Sequence, residues 1–169
     1  CACTLDGNER VLATEDNDTV SWGSAEFIAA EEMGRFRGYW WSPDSNFVAA
    51  CRVDVAPIDT WYIADPANPT SPAVEHRYPA AGTANAIVSL HIVSSVDGSR
   101  IDVPLGGEWE YLNSVSWSTG GLIAQTQTRD QKRVDIHLVD PANGSSRIGY
   151  TDIDANWVEL VAGVPAILD

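Results

Sequence analysis

Two adjacent acidic residues, Glu31 and Glu32, are the part of this sequence whose chemistry is best suited to binding a ligand. Carboxylate oxygens only accept hydrogen bonds, so a neighbouring pair can share the three N–H donors of a protonated amine. The α-amino group of a peptide has a reference pKa of about 8 and is largely protonated at neutral pH. The pair is therefore a candidate receptor for a cationic amine. The alternative is a solvated Glu-Glu pair at the end of a helix.

The residue types that other common chemistries require are not arranged for them. The three cysteines and three histidines have no zinc-ligand spacing. No Gly-x-Ser-x-Gly nucleophile elbow occurs, and no Gly-rich phosphate loop precedes a helix. The stretch that begins at Asp152 starts like a calcium loop but has Trp157 where a turn glycine is required. We therefore predict no catalytic residue, no metal site and no cofactor in this chain.

Charge balance and hydropathy restrict the partners of the chain. Its 169 residues include 24 acidic and 10 basic side chains, for a net charge of −14. Nucleic-acid binding requires clusters of Lys and Arg that neutralise phosphates, so we expect no nucleic-acid partner. No apolar run reaches the roughly 18 residues of a membrane span, and no signal peptide is visible, so we expect no membrane contact. The odd number of cysteines, with Cys51 inside an apolar strand pattern, favours a reducing, cytoplasmic location.

The Glu pair belongs to the one segment with a helical pattern, from Ser24 to Gly34 (SAEFIAAEEMG). Ala, Glu and Met favour helices, Ser24 can cap the N-terminus, and Gly34 can end the helix. The segment interrupts a chain whose other patterns indicate strands, which makes it the main candidate for a functional element.

The rest of the chain contains two copies of a four-strand unit. Residues 39–45 (YWWSPDS) align with residues 115–121 (VSWSTGG), and each is a strand that ends in Trp-Ser before a turn. Residues 88–93 (VSLHIV) align with residues 134–139 (VDIHLV), and both alternate with period two, as half-buried strands do. A unit of four short antiparallel strands has the pattern of a β-propeller blade.

We predict an all-β fold: a partial β-propeller of four-stranded antiparallel blades, with one short helical insertion. Its parts are residues 1–36 (the end of a preceding blade and the helix), 37–106 (a blade), 107–152 (a second blade) and 153–169 (the start of a following blade). In the flanking parts we expect strands from Arg10 to Thr14, from Thr19 to Trp22 and from Trp157 to Val161. His91 and His137 lie at equivalent strand positions, where packing or solvent contact is expected rather than catalysis.

The first blade contains an insertion between its second and third strands, at about residues 54–85. Proline cannot donate a hydrogen bond to a strand ladder, so this segment cannot be a regular internal strand and is expected to form a projecting arm. Arms of this length usually have a function or make contacts. The insertion holds five of the nine prolines: Pro57, Pro66, Pro69, Pro72 and Pro79.

Three stretches, in the same order along the chain, resemble the dipeptidyl peptidase IV family of serine exopeptidases, of the bacterial type, in the prolyl oligopeptidase superfamily. Residues 25–33 (AEFIAAEEM) are similar to the family's Asp-Trp-Val-Tyr-Glu-Glu-Glu segment. Residues 38–44 (GYWWSPD) match its Trp-Trp-Ser-Pro blade start, and residues 77–85 (RYPAAGTAN) resemble its Tyr-Pro-Lys-Ala-Gly-x-x-Asn stretch. The resemblance extends from about Val20 to Leu160.

The resemblance implies that Glu31 and Glu32 bind the free N-terminus of a peptide substrate, so that cleavage removes dipeptides ending in Pro or Ala. Ala29 and Ala30 stand where the family usually has Tyr and another Glu, so the packing beside the pair must differ.

The resemblance also implies partners for this chain. A missing C-terminal α/β-hydrolase domain would supply the nucleophile, the propeller would gate access to it, and the arm would contribute to a homodimer. This chain alone is therefore expected to be inactive. The alternative is a stand-alone, propeller-like module that binds a protein or peptide without peptidase activity.

Overall fold

The computed structural model describes residues 2, 3, 7–118 and 120–166. Cys1 and Thr119, which belongs to the second Trp-Ser repeat, lie outside this described part. It contains a six-residue helix, α1 (Phe27–Glu32), and no helix there is long and apolar enough to cross a membrane. The strands, in chain order, are β1 (Ala2–Cys3), β2 (Glu9–Arg10), β3 (Val20–Trp22), β4 (Tyr39–Trp41), β5 (Phe47–Asp54), β6 (Thr60–Ile63), β7 (Val74–Arg77), β8 (Ile87–Ser94), β9 (Arg100–Val103), β10 (Tyr111–Ser118), β11 (Gly121–Gln127), β12 (Arg133–Val139) and β13 (Ser146–Ile153).

The first sheet is built around β5. On one side β8 pairs with all of β5, from Phe47 opposite Ser94 to Asp54 opposite Ile87, and β9 pairs with the far side of β8. On its other side β5 pairs with two three-residue strands, β4 and β3. Each of these short strands covers a different part of β5, so β3 and β4 lie end to end and share one position in the sheet.

The prediction that Thr19 to Trp22 end a preceding blade is wrong. β3 pairs instead with residues 52–54 of β5, inside the first sheet. Because β4 extends only as far as Ala50 along β5, the backbone groups of β5 beyond it need another partner, and β3 supplies it. The strand expected from Arg10 to Thr14 is limited to Glu9–Arg10, which pairs with β1.

The second sheet is a four-stranded antiparallel meander of β10, β11, β12 and β13. It confirms the four-strand pattern that the second repeat predicts. Leu112 pairs with Thr126 and Ser114 pairs with Gln125, so Asn113 is the extra residue of a β-bulge in β10. A bulge of this kind bends a strand locally and changes the direction of its side chains.

The two sheets share one apolar core. The indole N–H of Trp117 donates to the carbonyl of Trp40 at 2.9 Å and so joins the first strands of the two repeats. Cys51 is fully buried and burial raises the pKa of its thiol to about 11, which confirms the prediction of a small buried hydrophobe. The buried members of the core are Ala49, Cys51, Val53, Val88, Leu90, Ile92, Val103, Leu112, Val115, Leu122, Ala124 and Val139.

The proline-rich insertion contains a hairpin, formed by β6 and β7, that is separate from both sheets. Every residue of its two strands is exposed. At its base the guanidinium of Arg77 donates to the carbonyl oxygen of Ile58 at 2.7 Å. Tyr78 follows β7 and packs edge-on against Trp61 of the hairpin and Phe27 of α1, with ring centroids 6.0 and 5.2 Å apart. The hairpin is thereby attached to the molecule on the side of the inserted helix.

The prediction of a strand from Trp157 to Val161 is wrong. These residues have irregular backbone, and the N–H of Val158 donates to the carbonyl of Gln131 at 2.8 Å. The described part of the chain places no strand beside them, so they have no ladder to join. They instead fold back on the turn between β11 and β12.

Candidate functional site

The helix with the Glu pair lies in an insertion between β3 and β4, the two short strands that share one position in the first sheet; residues 23–38 are called the excursion below. The chain leaves the strand at Gly23, after β3, and rejoins it at Gly38, before β4. The N–H of Gly38 donates to the carbonyl of Gly23 at 3.0 Å, and both glycines bond to Cys51 of β5. An isolated bridge between Ser24 and Arg37 closes the excursion. Its two ends are thus held at one point of the sheet.

Helix α1 begins at a different cap from the one predicted. Glu26, not Ser24, is the N-cap: its carboxylate accepts from the N–H of Ala29 at 2.7 Å. The hydroxyl of Ser24 lies 2.6 Å from that of Ser21 instead. The predicted end is confirmed, because Gly34 has a φ of 64° and the following N–H bonds back to the carbonyl of Ala29 at 2.9 Å.

A buried ion pair connects the helix to the second sheet. The Nη2 of Arg35 lies 3.4 Å from Oε1 of Glu26, and both side chains are buried. The Nε of Arg35 donates to the carbonyl of Leu112 in β10 at 3.1 Å, next to the bulge at Asn113. Arg35 therefore binds the beginning of the helix and the neighbouring sheet at the same time.

Glu31 and Glu32 are the last two residues of α1, and both are exposed. Neither carboxylate has a hydrogen bond or ion pair with another residue of the described part of the chain, and the last turn contains no basic residue. The carbonyl end of a helix has a partial negative charge, which adds to that of the two carboxylates. The arrangement is suited to a cation and unsuited to an anion.

A polar cleft of about 380 Å³ lies beside Glu32. No sequence pattern marks this cleft, because its walls are brought together from positions about a hundred residues apart. The side-chain amide of Gln127 donates to the carbonyl of Val158 at 3.3 Å and so joins two of its walls. The residues that line the cleft are Glu32, Met33, Gln127, Gln131, Trp157, Val158, Glu159 and Leu160.

A second cluster, Ser89, His91 and Asp102, has the residue types of a hydrolase triad. The His91 ring nitrogens lie 2.8 Å from the Ser89 hydroxyl and 2.8 Å from the Asp102 carboxylate. However, every residue of β8 pairs with β5, and residues 90–93 also pair with β9, so Ser89 lies within a paired strand and not on a turn that presents free N–H groups to an oxyanion. The Asp102 side chain is 86% exposed and is not held against the ring by packing. The cluster is a hydrogen-bond network of the first sheet.

The comparisons with known proteins agree on one family. Residues 3–167 match the family model of the dipeptidyl peptidase IV (DPP IV) N-terminal region. The chain is 29% identical over 154 residues to dipeptidyl peptidase 8 of Homo sapiens, a match that covers 77% of this chain and 17% of that protein. It is 26% identical over 165 residues to venom dipeptidyl peptidase 4 of Apis mellifera, covering 89% and 21%. The chain thus spans about a fifth of the length of these relatives.

Solved structures show the same fold. The crystal structure of Porphyromonas gingivalis dipeptidyl peptidase 4 superposes with a TM-score of 0.81 at 22% identity, covering 90% of this chain and 22% of that chain. Together with the two antiparallel sheets, this confirms the predicted fold class, a partial β-propeller with one short helical insertion. Since the family model covers nearly the whole chain, this protein belongs to the dipeptidyl peptidase IV family and corresponds to its N-terminal region.

Proposed function

We propose that this chain is the substrate-recognition and access-gating region of a serine dipeptidyl peptidase, in which Glu31 and Glu32 bind the protonated N-terminal amine of the peptide. The nucleophile would come from an α/β-hydrolase domain elsewhere in the full-length protein. The observation that supports the proposal is the arrangement of the Glu pair. Its two exposed carboxylates belong to adjacent residues at the end of an inserted helix and have no partner in the described residues, and Glu32 lines a polar cleft.

An amine receptor of this kind explains how a peptidase could release dipeptides. The ammonium group offers three N–H donors, and hydrogen bonds to charged groups contribute roughly 1.5–3 kcal/mol each. An extended chain advances about 3.3–3.6 Å per residue, so a fixed distance from the receptor to the nucleophile selects one peptide bond. A receptor whose distance from the nucleophile matches about two extended residues selects the second peptide bond of the substrate.

The proposal is tested by replacing Glu31→Gln and Glu32→Gln together in the full-length protein. The change removes both charges and keeps the size of the side chains. We expect kcat/KM on an X-Pro substrate to fall about 100-fold or more, because two charge-assisted hydrogen bonds are lost.

The matched control is Glu108→Gln with Asp152→Asn, which removes two exposed carboxylates from other parts of the chain. This control should retain the wild-type kcat/KM. An unchanged kcat/KM in the Glu31→Gln/Glu32→Gln protein would refute the role of the pair.

The alternative function, a stand-alone binding module, makes a different prediction for the rest of the gene. A peptidase requires a Gly-x-Ser-x-Gly elbow in an α/β domain downstream of this chain, whereas a stand-alone module does not. The full-length reading frame therefore distinguishes the two functions.

The proposal extends to a second copy of the chain and to the cellular location. We assign the exposed hairpin of β6 and β7 to a homodimer contact, supported by the apolar side chains that it presents. We also propose a cytoplasmic location, which is supported by the free, buried thiol of Cys51.

A further inference from the structure

We propose that the buried ion pair of Glu26 and Arg35 is the device that positions the Glu pair, by fixing helix α1 against the second sheet. This inference rests on the proposed function. It assigns Glu26 and Arg35 as positioning residues that act through Glu31 and Glu32, not as groups that touch the peptide.

The contacts of Arg35 join three parts of the site. One guanidinium nitrogen, Nη2, meets the N-cap carboxylate of Glu26 at 3.4 Å, and a second, Nη1, donates to the carbonyl of Arg37 at 3.0 Å. The third, Nε, donates to Leu112 in the second sheet at 3.1 Å. The guanidinium also lies 5.9 Å from the ring centroid of Trp40. A single planar group thus fixes the beginning of the helix, the returning strand and the neighbouring sheet.

The helix cannot hold its own position. A six-residue helix is far below the length at which an isolated helix is stable in water, so its place is set by tertiary contacts. Ala29 is its one fully buried residue, and a methyl group defines orientation poorly. The edge-on contact of Phe27 with Tyr78 joins α1 to the insertion, whereas Arg35 supplies the directional contact to the second sheet.

The ion pair has no evident value for stability alone. Two buried charges lose their hydration, and well-packed apolar residues of similar volume commonly give a fold of equal or greater stability. The planar guanidinium of Arg35 instead fixes the orientation of the groups that it binds, because its N–H bonds have fixed directions. The bulge at Asn113 lies beside the Leu112 carbonyl that Arg35 binds, so the second sheet is also shaped at this point.

The consequence is a fixed relation between the amine receptor and the second sheet. Glu32 lines the same cleft as Gln127, which lies at the end of β11. The helix belongs to the first sheet by chain connection, but Arg35 fixes it to the second. A shift of the helix would move both carboxylates relative to the opposite wall of the cleft.

The test is a double-mutant cycle in the full-length protein. Arg35→Lys keeps the charge but not the planar fork, and Glu26→Gln with Arg35→Met removes both charges so that none is left buried alone. We expect each to lower kcat/KM on an X-Pro substrate by about tenfold or more, since misplacement by about 1 Å is costly. In the Glu31→Gln/Glu32→Gln background the same changes should alter kcat/KM by less than about twofold, since the receptor is already lost.

The control for general destabilisation is Arg133→Met, which removes the arginine from the buried carboxylate of Asp135. It should lower the melting temperature and leave kcat/KM of the folded enzyme unchanged. If Glu31→Gln/Glu32→Gln alone leaves kcat/KM unchanged, the proposed function is wrong and this inference is wrong with it. The positioning role alone is wrong if Glu31→Gln/Glu32→Gln lowers kcat/KM but the ion-pair variants have wild-type kcat/KM. It is also wrong if the ion-pair variants lower kcat/KM equally in the wild-type and the Glu31→Gln/Glu32→Gln backgrounds.

Discussion

His137 lies in the second sheet, has no contact with solvent, and is incompletely hydrogen-bonded. Its Nε2 lies 2.8 Å from the hydroxyl of Thr126, whereas Nδ1 has no partner in the described part of the chain. Burial lowers the pKa of His137 below its ordinary value, and the carboxylate of Asp135 opposes this by favouring the charged ring. The net lowering means that the folded protein holds this ring neutral at neutral pH.

The lowered pKa of His137 predicts a loss of stability in mild acid. The unfolded ring binds a proton below about pH 6.5, while the folded ring resists it, so the free energy of unfolding falls as the pH drops through that value. We expect the melting temperature to decrease from pH 7 to pH 5. His137→Gln, which can keep a hydrogen bond to Thr126 but does not titrate, should reduce the decrease. His76→Gln in the exposed arm is the control, and an undiminished decrease in His137→Gln would contradict the prediction.

Gly38 is required by a close approach of two backbone segments. A Cβ at this position would lie 2.1 Å from the carbonyl oxygen of Ser24, where the excursion leaves the sheet. We expect Gly38→Ala to lower the free energy of unfolding by about 1–3 kcal/mol, because the backbone must shift to admit the methyl group. Urea unfolding of the protein measures it. Gly106→Ala is the matched control, since nothing lies within 4 Å of its added Cβ, and equal stability of the two variants would show that the excursion tolerates movement.

At the scale of elements, helix α1 could be predicted from the sequence but its beginning could not. Ser24 and Glu26 both have side chains that can accept from the first turn. The closure of the excursion decides between them: it holds Ser24 at the sheet, by its bridge to Arg37, and leaves Glu26 to bond to Ala29. Nothing in the local sequence encodes that bridge.

The assignment of β3 shows the same limit. Val20–Trp22 is too short to have a pattern of its own, and its place depends on the unpaired end of β5, about thirty residues further along the chain. The cleft beside Glu32 depends on contacts that are still more distant, to Gln127 and Val158. The repeats could be recognised because both units contain the same strand and turn motifs in the same order, whereas these contacts join residues with no shared local pattern.

For the molecule as a whole, the hairpin of β6 and β7 lies outside the shared core, and every residue of its two strands is exposed. Ile63 and Val74 face each other across it and are 58% and 59% exposed. This exposed apolar pair supports the proposed contact of the hairpin with a second copy of the chain. Trp61 differs from them, because it also packs against Tyr78 at the base.

The homodimer assignment predicts that Ile63→Ser with Val74→Ser converts the full-length protein from dimer to monomer. Burying a valine or isoleucine side chain contributes roughly 1.5 kcal/mol or more, so losing both should raise the Kd of the dimer by roughly 100-fold or more. Sedimentation velocity over a dilution series measures this. Val11→Ser with Val96→Ser is the control, because these residues are also exposed but lie outside the hairpin and should leave the dimer intact. A wild-type protein that is monomeric throughout the series, or a hairpin variant that dimerises as tightly as wild type, would exclude the hairpin as the dimer contact. Because Ile63 and Val74 are both exposed, a loss of dimerisation in the hairpin variant could not be attributed to a loss of folding.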